Sequence, residues 1–382
     1  MALALDDFRR RGLRVMDARA LRESFEMACR SGDEVPQYFY AQLFLRAPEV
    51  RSMFPVSMGA QRDRLLTALG HITSQADQLD RLTPYLQQLG RDHRKFDVVI
   101  RHYEVVGECL LATLAYFLGE AWTPELEMQW ISAYELVAQT MAQAAVDDER
   151  VNPAWWQAEV VRHERRSVDL AVVTLLLNQP MRYTAGQSVM LELPLMPSTW
   201  RAFTPANVAR TDGTVELHVR AVDGGLVSPA IVYGLNEGDV VRLGAPIGSV
   251  LTLASSRGRD LVMVAGGTGL APMRAMIEEL AVTGAQRQVD LFVAAREESG
   301  FYDLPMLRHM EHSYPWLRVW PLSGSDAGTL EDRSLAKPVL RGGRWDERAF
   351  YVCGSPRMVS ATVKDLTESG IRGDLLFFEE DR

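Results

Sequence analysis

A chain that places Gly-Gly-Thr-Gly directly after a short apolar run has few folds open to it. In this sequence of 382 residues, Leu261-Val262-Met263-Val264-Ala265 reads as a buried parallel strand that breaks into Gly266-Gly267-Thr268-Gly269. Met273, Met276, Ile277 and Leu280 then recur at helical spacing. Strand, glycine turn and helix together bring backbone N–H groups and a helix N-terminus up to a phosphate. Glycine is needed where the backbone turns left-handed, which costs other residues about 1–2 kcal/mol. It is also needed where a side chain would hold a pyrophosphate off. The alternative is an ordinary strand-to-helix turn. The spacing is not G-x-G-x-x-G, so a different kind of nucleotide-binding domain is expected.

Downstream, Ala349-Phe350-Tyr351-Val352-Cys353-Gly354-Ser355-Pro356 is again a strand running into a small-residue turn. Alone, Cys353 reads as a small buried hydrophobe. The two turns together resemble the ferredoxin-reductase family of flavoenzymes, which pairs Gly-Gly-Thr-Gly-x-x-Pro with a later Cys-Gly-x-Pro. The resemblance implies a nicotinamide dinucleotide site formed by Gly266, Gly267, Thr268, Gly269, Cys353 and Gly354.

The length suggests two or three domains. A net charge of -9 argues against nucleic acid as the main partner. Met1 to Arg11 mixes apolar residues with Asp6, Asp7 and three arginines and is not a signal peptide. No apolar run is long enough to span a bilayer. Cys29, Cys109 and Cys353 lie far apart, which suits a reducing cytoplasm and gives no disulfide framework. No C-x-x-C signals zinc, an iron–sulfur cluster or covalent haem. A cytoplasmic monomer is expected.

From about Asp17 to Asp148 the apolar period is helical, with few strand signals. Leu82, Leu86, Leu89 and His93 form one stripe, and Tyr103, Val106, Leu110, Thr113 and Phe117 another. Thr123-Pro124-Glu125 is a helix start. A histidine ending an apolar stripe reads equally as a surface helix-end residue, and His71 and His102 are its rivals as a ligand. The run Phe39-Tyr40, Ala47-Pro48-Glu49-Val50, Phe54-Pro55, Gln61, His93, and Tyr103 through Glu108 resembles the globin domain of bacterial flavohaemoglobins. That resemblance implies haem b with His93 as proximal iron ligand. It implies Phe54 against the haem, a distal pocket of Tyr40, Gln61 and Leu65, and Tyr103 as a proximal hydrogen-bonding tyrosine.

After Asn152-Pro153 the pattern changes to short alternating runs: Ala158 to His163, Ser167 to Leu175, Ser188 to Leu193, Val215 to Val222 and Asp239 to Leu243. Turn residues separate them, and a small antiparallel barrel is expected. Arg201-Ala202-Phe203-Thr204 resembles the Arg-x-Tyr-Ser/Thr signature of the same flavoenzymes. It implies Arg201 on the FAD pyrophosphate, Phe203 on the flavin and Thr204 near flavin N5. Gly224-Gly225-Leu226-Val227-Ser228 resembles the family's second pyrophosphate motif, with Gly225, Val227 and Ser228 as its contacts. Tyr183, Gly186-Gln187 and Ser188 match the approach strand. The last third alternates strand and helix, so a parallel sheet with helices on both faces is expected, with its ligand at the strand carboxyl ends. Arg296 would meet ribose or phosphate there.

The expected architecture is thus an all-α globin-like haem domain (1–150), an antiparallel β-barrel FAD domain (151–257) and an α/β NAD(P)-binding domain (258–382). The chain also departs from the family. Phe203 lacks a hydroxyl, Ser188 replaces an aromatic, and Asp92 stands where lysine often precedes the histidine. Ala145 takes the place of a proximal glutamate, and Phe377-Phe378-Glu379-Glu380-Asp381-Arg382 replaces a C-terminal Glu-x-Phe-Gly, leaving Glu379 near the flavin. The resemblance implies that hydride from NADH or NADPH reaches FAD, that electrons pass on to haem, and that nitric oxide and dioxygen become nitrate. Two alternatives stay open. One is a flavin-centred dehydrogenase or diaphorase acting on a small organic substrate, quinone or ferric acceptor. The other is an oxygen-binding or sensing globin.

Overall fold

The structure is a computed structural model that describes residues 17–323, 334–343, 345 and 347–379. Met1 to Arg11, expected to lack a signal peptide, and Glu380-Asp381-Arg382 lie outside the described residues. The described chain forms two compact units, one running to Trp155 and including Pro197–Thr199, the other comprising Trp156–Met196 and the chain from Trp200 onward. No helix among the described residues is long and apolar enough to cross a membrane.

The first unit is helical, as its period requires: α1 Ala18–Cys29, α2 Glu34–Arg46, α3 Gly59–Ser74, α4 Leu79–His93, α5 Ile100–Leu118 and α6 Pro124–Glu149. A 3-10 turn over Pro48–Met53 follows α2. Helix starts are set by side chains that satisfy otherwise orphaned backbone donors. The Asp17 carboxylate accepts from the N–H groups of Arg19 and Ala20, and Thr123 Oγ1 accepts from Leu126 N at 3.2 Å with Pro124 in the first turn. The apolar faces form two clusters rather than one. The larger gathers Leu21, Phe39, Tyr40, Leu43, Leu110 and Leu114, and the smaller gathers Leu82, Leu86 and Met141. Helices α4 and α6 meet at Gly90, where an added Cβ would lie 2.2 Å from the Met141 carbonyl oxygen.

The second unit begins with a six-stranded antiparallel sheet: β1 Trp156–Arg165, β2 Leu170–Leu177, β3 Ser188–Glu192, β4 Arg201–Phe203, β5 Thr214–Arg220 and β6 Val240–Ile247, in the order β4-β3-β6-β1-β2-β5. A bridge from Pro205 to Leu217 joins the two ends of that order, making the expected barrel. Strand β2 starts later than the sequence run implied. Ser167 Oγ donates to Asp169 at 2.7 Å and closes a turn before the strand can begin. The segment expected only as a turn at Gly224–Ser228 continues into a short helix, α7 Val227–Gly234.

A five-stranded parallel sheet follows, built from β7 Leu261–Gly266, β8 Val289–Ala294, β9 Leu317–Leu322, β10 Ala349–Cys353 and β11 Leu376–Phe378. Its order, β11-β10-β7-β8-β9, changes direction between β7 and β10. Leu261, Met263 and Ala265 pack toward α8 Leu270–Thr283 and α9 Leu304–Ser313, while Val262 and Val264 pack toward α10 Ala336–Arg341 and α11 Pro356–Glu368. A strand buried on both faces needs the unbroken apolar run seen in the sequence.

Gly90→Ala is expected to destabilise the helical unit by about 1–3 kcal/mol, because the methyl overlaps backbone that cannot rotate away. Chemical denaturation followed by helical circular dichroism measures this. An unchanged midpoint contradicts the close α4–α6 crossing.

Candidate functional site

Helix α4 carries its apolar stripe to a histidine at its last turn. Leu82 and Leu86 are buried, with Leu89 and His93 continuing the face. His93 Nδ1–H donates to the Leu89 carbonyl at 2.8 Å, since a carbonyl can only accept. That bond fixes the tautomer and leaves Nε2 with a lone pair, the form in which imidazole binds metal. Burial lowers the His93 pKa against the opposing charge of Asp92, so the ring is neutral at pH 7. Its surface is nevertheless only partly covered. The rivals are otherwise engaged: His71 packs on Tyr85 with centroids 4.4 Å apart, and His102 Nδ1 accepts from Val99 N at 3.2 Å.

Tyr103, expected to support His93, makes no hydrogen bond to it. His93 Nδ1 is already taken by its own helix, and the Tyr103 ring packs with Leu82, Leu86 and Met141. The nearby acids are also committed. Buried Asp148 pairs with Arg94, and Asp92 pairs with buried Lys95.

Tyr40, Gln61, Phe54 and Leu65 do come together. Tyr40 is buried on α2, and its hydroxyl accepts from Gln61 Nε2 at 3.2 Å and donates to the Gln61 carbonyl at 3.4 Å. The Phe54 ring stands edge-on to it at 5.4 Å, and Leu65, one turn after Gln61, packs on the same cluster. Burial pushes the Tyr40 phenol up to about 12, against the weaker effect of the Gln61 bond, so it stays a neutral O–H donor.

In the barrel, Gln187 braces its turn from both sides. Its Oε1 accepts from Thr184 N at 2.8 Å, and its Nε2 donates to the Gly248 carbonyl at 2.9 Å. Ser188 is buried and shares a 2.9 Å hydrogen bond with Thr204 Oγ1. Phe203 packs against the barrel core, while Arg201 is exposed and donates to the Trp200 carbonyl at 2.9 Å. Ser228 Oγ accepts from Val222 N at 3.2 Å and Gly225 N donates to the Val222 carbonyl at 2.9 Å, which folds the motif onto the start of α7. Val227 is buried in the core, so only its backbone can face a ligand.

The two glycine turns of the parallel sheet meet at its switch point. Gly267 has φ +54°, and Cβ atoms added at Gly269 and Gly354 would lie 2.3 Å from the Cys353 oxygen and 3.3 Å from the Gly266 Cα. Thr268 sits within the turn, partly exposed. Burial, helped by the charge of Glu379, raises the Cys353 thiol to about 12, so it is a thiol and Glu379 is its neighbour. Arg296 is exposed just past β8. Arg220, at the end of β5, was not singled out in the sequence. Its Nη1 donates to Asp169 at 2.9 Å. Its Nε is buried without a hydrogen-bond partner among the described residues and lies 3.8 Å from the position of a Gly267 Cβ. The alternation of β5 was the available signal, because it puts Arg220 on the face away from the barrel core.

Comparison with known proteins agrees with this three-part geometry. Residues 37–141 match the Globin family, residues 157–251 the Oxidoreductase FAD-binding domain and residues 263–364 the Oxidoreductase NAD-binding domain. The Flavohemoprotein of Bacillus subtilis (strain 168) is 26% identical over 373 residues, covering 91% of this chain and 92% of that protein. The crystal structure of flavohemoglobin from Malassezia yamatoensis, which holds FAD and heme, superposes with a TM-score of 0.75 at 17% identity, covering 95% of this chain and 98% of the other. The chain belongs to the flavohaemoglobin family. The reductase half has its own likeness: the reductase component DmpP of phenol 2-monooxygenase from Pseudomonas sp. (strain CF600) is 32% identical over 209 residues, 53% of this chain and 59% of that protein.

This flavohaemoglobin is therefore an oxidoreductase with haem b, FAD and NAD(P)H as cofactors, passing electrons from nicotinamide through flavin to haem. Its residues fit those groups. The imidazole Nε2 of His93 is uncommitted in a helical unit whose apolar faces are split into two clusters. The orphaned Arg220 Nε at the glycine turn is a charged donor that a phosphate oxygen would satisfy.

Within the reductase unit, strand β5 alternates cleanly. Val215, Leu217 and Val219 are each about 1% exposed in the barrel core, and Glu216, His218 and Arg220 point the other way. Burial alone would push the Glu216 carboxyl up, but the hydrogen bond from His218 and the charge of Arg274 outweigh it and hold the group at about 2. A folded value below the unfolded one gives stability that is present at neutral pH and lost as pH falls through the folded value. Glu216→Gln is expected to unfold at lower urea than wild type at pH 7, with the gap narrowing as pH falls from about 4.5 toward 2. A gap independent of pH contradicts the assignment.

Proposed function

We propose that this flavohaemoglobin is a nitric oxide dioxygenase driven by NAD(P)H, with residues 1–150 holding haem, 151–257 holding FAD and 258–382 holding the nicotinamide dinucleotide. When bound, the haem supplies a one-electron redox centre that takes a diatomic ligand, and FAD links a two-electron donor to that one-electron acceptor.

The observation that carries the reading is the Tyr40–Gln61 pair. A phenol kept protonated by burial, whose hydroxyl accepts from the Gln61 amide and whose one proton rests on the Gln61 carbonyl by a long 3.4 Å bond, can turn that proton to negative charge building on an oxygen ligand. Phe54 and Leu65 exclude water around that hydroxyl and keep its bond strong. His93 presents Nε2 because Leu89 holds Nδ1–H. In the reductase half, Arg201, Gly225 and Ser228 would hold the flavin pyrophosphate, with Phe203, Gln187 and Ser188 shaping its pocket. Thr204, Cys353 and Glu379 would frame the place where nicotinamide meets flavin. Gly266 to Gly269, Gly354 and Arg296 would receive the dinucleotide.

One observation favours a second reading, an oxygen-binding globin. His93 leans on a peptide carbonyl, and among the described residues no carboxylate or tyrosine hydrogen-bonds to it, so the imidazole is a modest electron donor.

Nitric oxide consumption in the presence of dioxygen and NADH or NADPH separates the two. The dioxygenase reading expects nitrate as product and a loss of about a hundredfold in turnover for Tyr40→Phe. Equal consumption by wild type and variant defeats it, and tight oxygen binding with no nitrate formed supports the second reading. His93→Ala is expected to lose the Soret band of the haem-loaded protein. Retention of an unchanged band removes His93 from the iron.

A further inference from the structure

We propose that the buried chain Tyr302–His218–Glu216–Arg274–Asp303 is a positioning device for hydride transfer, fixing how the nicotinamide turn is presented to the flavin barrel. The proposal rests on the reading of NAD(P)H as electron donor.

Five polar side chains converge where barrel strand β5 meets the nucleotide domain. His218 Nδ1 lies 2.9 Å from Tyr302 Oη, and the two rings stand edge-on with centroids 5.3 Å apart. His218 Nε2 lies 3.1 Å from Glu216 Oε1. Arg274 Nη1 lies 2.5 Å from the same oxygen, 3.1 Å from Asp303 Oδ2 and 3.1 Å from His218 Nε2. The His218 side chain is fully covered, and those of Arg274 and Asp303 are 10% and 6% exposed.

The protons can be placed once each. Arg274 Nη1 has two, and two carboxylates accept them. His218 Nε2–H then donates to Glu216, and Nδ1 accepts from the Tyr302 hydroxyl. Burial raises the Tyr302 phenol, which keeps that proton in place. An apolar contact would let two surfaces slide, whereas a chain with every proton assigned has one register.

Its anchor points are the elements that carry the nucleotide. Arg274 is on α8, which starts directly after the Gly266–Gly269 loop. Tyr302 and Asp303 close the segment that leaves the carboxyl end of β8 past Arg296, and Asp303 sits at the start of α9. Strand β5 continues from His218 to Arg220 at Gly267. The other pair between barrel and α8, Arg210 with Glu278, is more exposed and holds less firmly. The chain therefore locks both sides of the nucleotide turn to one barrel strand. The hydride carries two electrons from C4 of the dihydronicotinamide to N5 of the flavin and no further reactant is needed, so the rate depends on how closely those two atoms are held.

The test is anaerobic stopped-flow reduction of the full-length, FAD-loaded protein by NADH and by NADPH. It compares wild type with Tyr302→Phe, His218→Leu and His218→Gln, and follows flavin bleaching and the long-wavelength nicotinamide–flavin charge-transfer band. Tyr302→Phe and His218→Leu are expected to keep FAD and to bind the nucleotide within about threefold of wild type. Their limiting reduction rate is expected to fall about tenfold to a hundredfold, with a weakened charge-transfer band. His218→Gln keeps a donor toward Glu216 and is expected to recover most of the rate. An unchanged limiting rate and band in FAD-loaded His218→Leu overturns the proposal. Loss of FAD or of folding in all three variants also overturns it, since the chain is then a structural clamp only. A wild type reduced by neither nucleotide overturns the donor reading itself, a result distinct from the other two.

Discussion

Gly269 packs so closely on β10 that a Cβ there would lie 2.3 Å from the Cys353 carbonyl oxygen, and one at Gly354 would lie 3.3 Å from the Gly266 Cα. Two turns of bare backbone can touch only because neither carries a side chain at the contact. That contact sits where the parallel sheet reverses its order, between β7 and β10, the place where an open α/β sheet receives a ligand. Much of the reductase unit answers to it. Helix α8 starts there, Arg220 reaches it from the barrel with an unpaired Nε, and the Cys353 thiol and Glu379 stand beside it.

The helical unit is organised by a different constraint. His93 can serve a metal only if one ring nitrogen is committed and the other is not, and the Leu89 carbonyl one turn back makes that choice. Because the acceptor is backbone of the same helix, the arrangement survives without an external partner. Asp148 and Asp92 are free to form ion pairs with Arg94 and Lys95, and Tyr103 to join the apolar cluster. Across the unit's larger cluster, Tyr40 and Gln61 satisfy each other's polar groups, with the one phenol proton on the Gln61 carbonyl at 3.4 Å.

Much of this was legible in the sequence because it rests on local rules. The apolar run at 261–265, the glycines after it and the capping Thr123 each follow from backbone geometry within a few residues. The helical stripe that ends at His93 is a matter of period. What was not legible depends on meetings across the chain. Tyr103 has suitable chemistry for His93, but its ring packs on the apolar stripe of α4 while the Leu89 carbonyl already holds Nδ1. Arg220 gains its meaning only where the barrel's β5 meets a turn well downstream, and Ser188 only where its hydroxyl finds Thr204. The strand start read at Ser167 gave way to the hydrogen bond from Ser167 to Asp169, and the strand begins at Leu170.

Electron flow from nicotinamide through flavin to haem is the claim that joins these parts. Its most direct test is a single anaerobic experiment in which NADH or NADPH is mixed with the ferric, FAD-loaded protein while the flavin and Soret bands are recorded together. The account predicts that the flavin band bleaches first and the Soret band then shifts to its ferrous position. A flavin that is reduced while the haem stays ferric, or a haem reduced with the flavin still oxidised throughout, contradicts it.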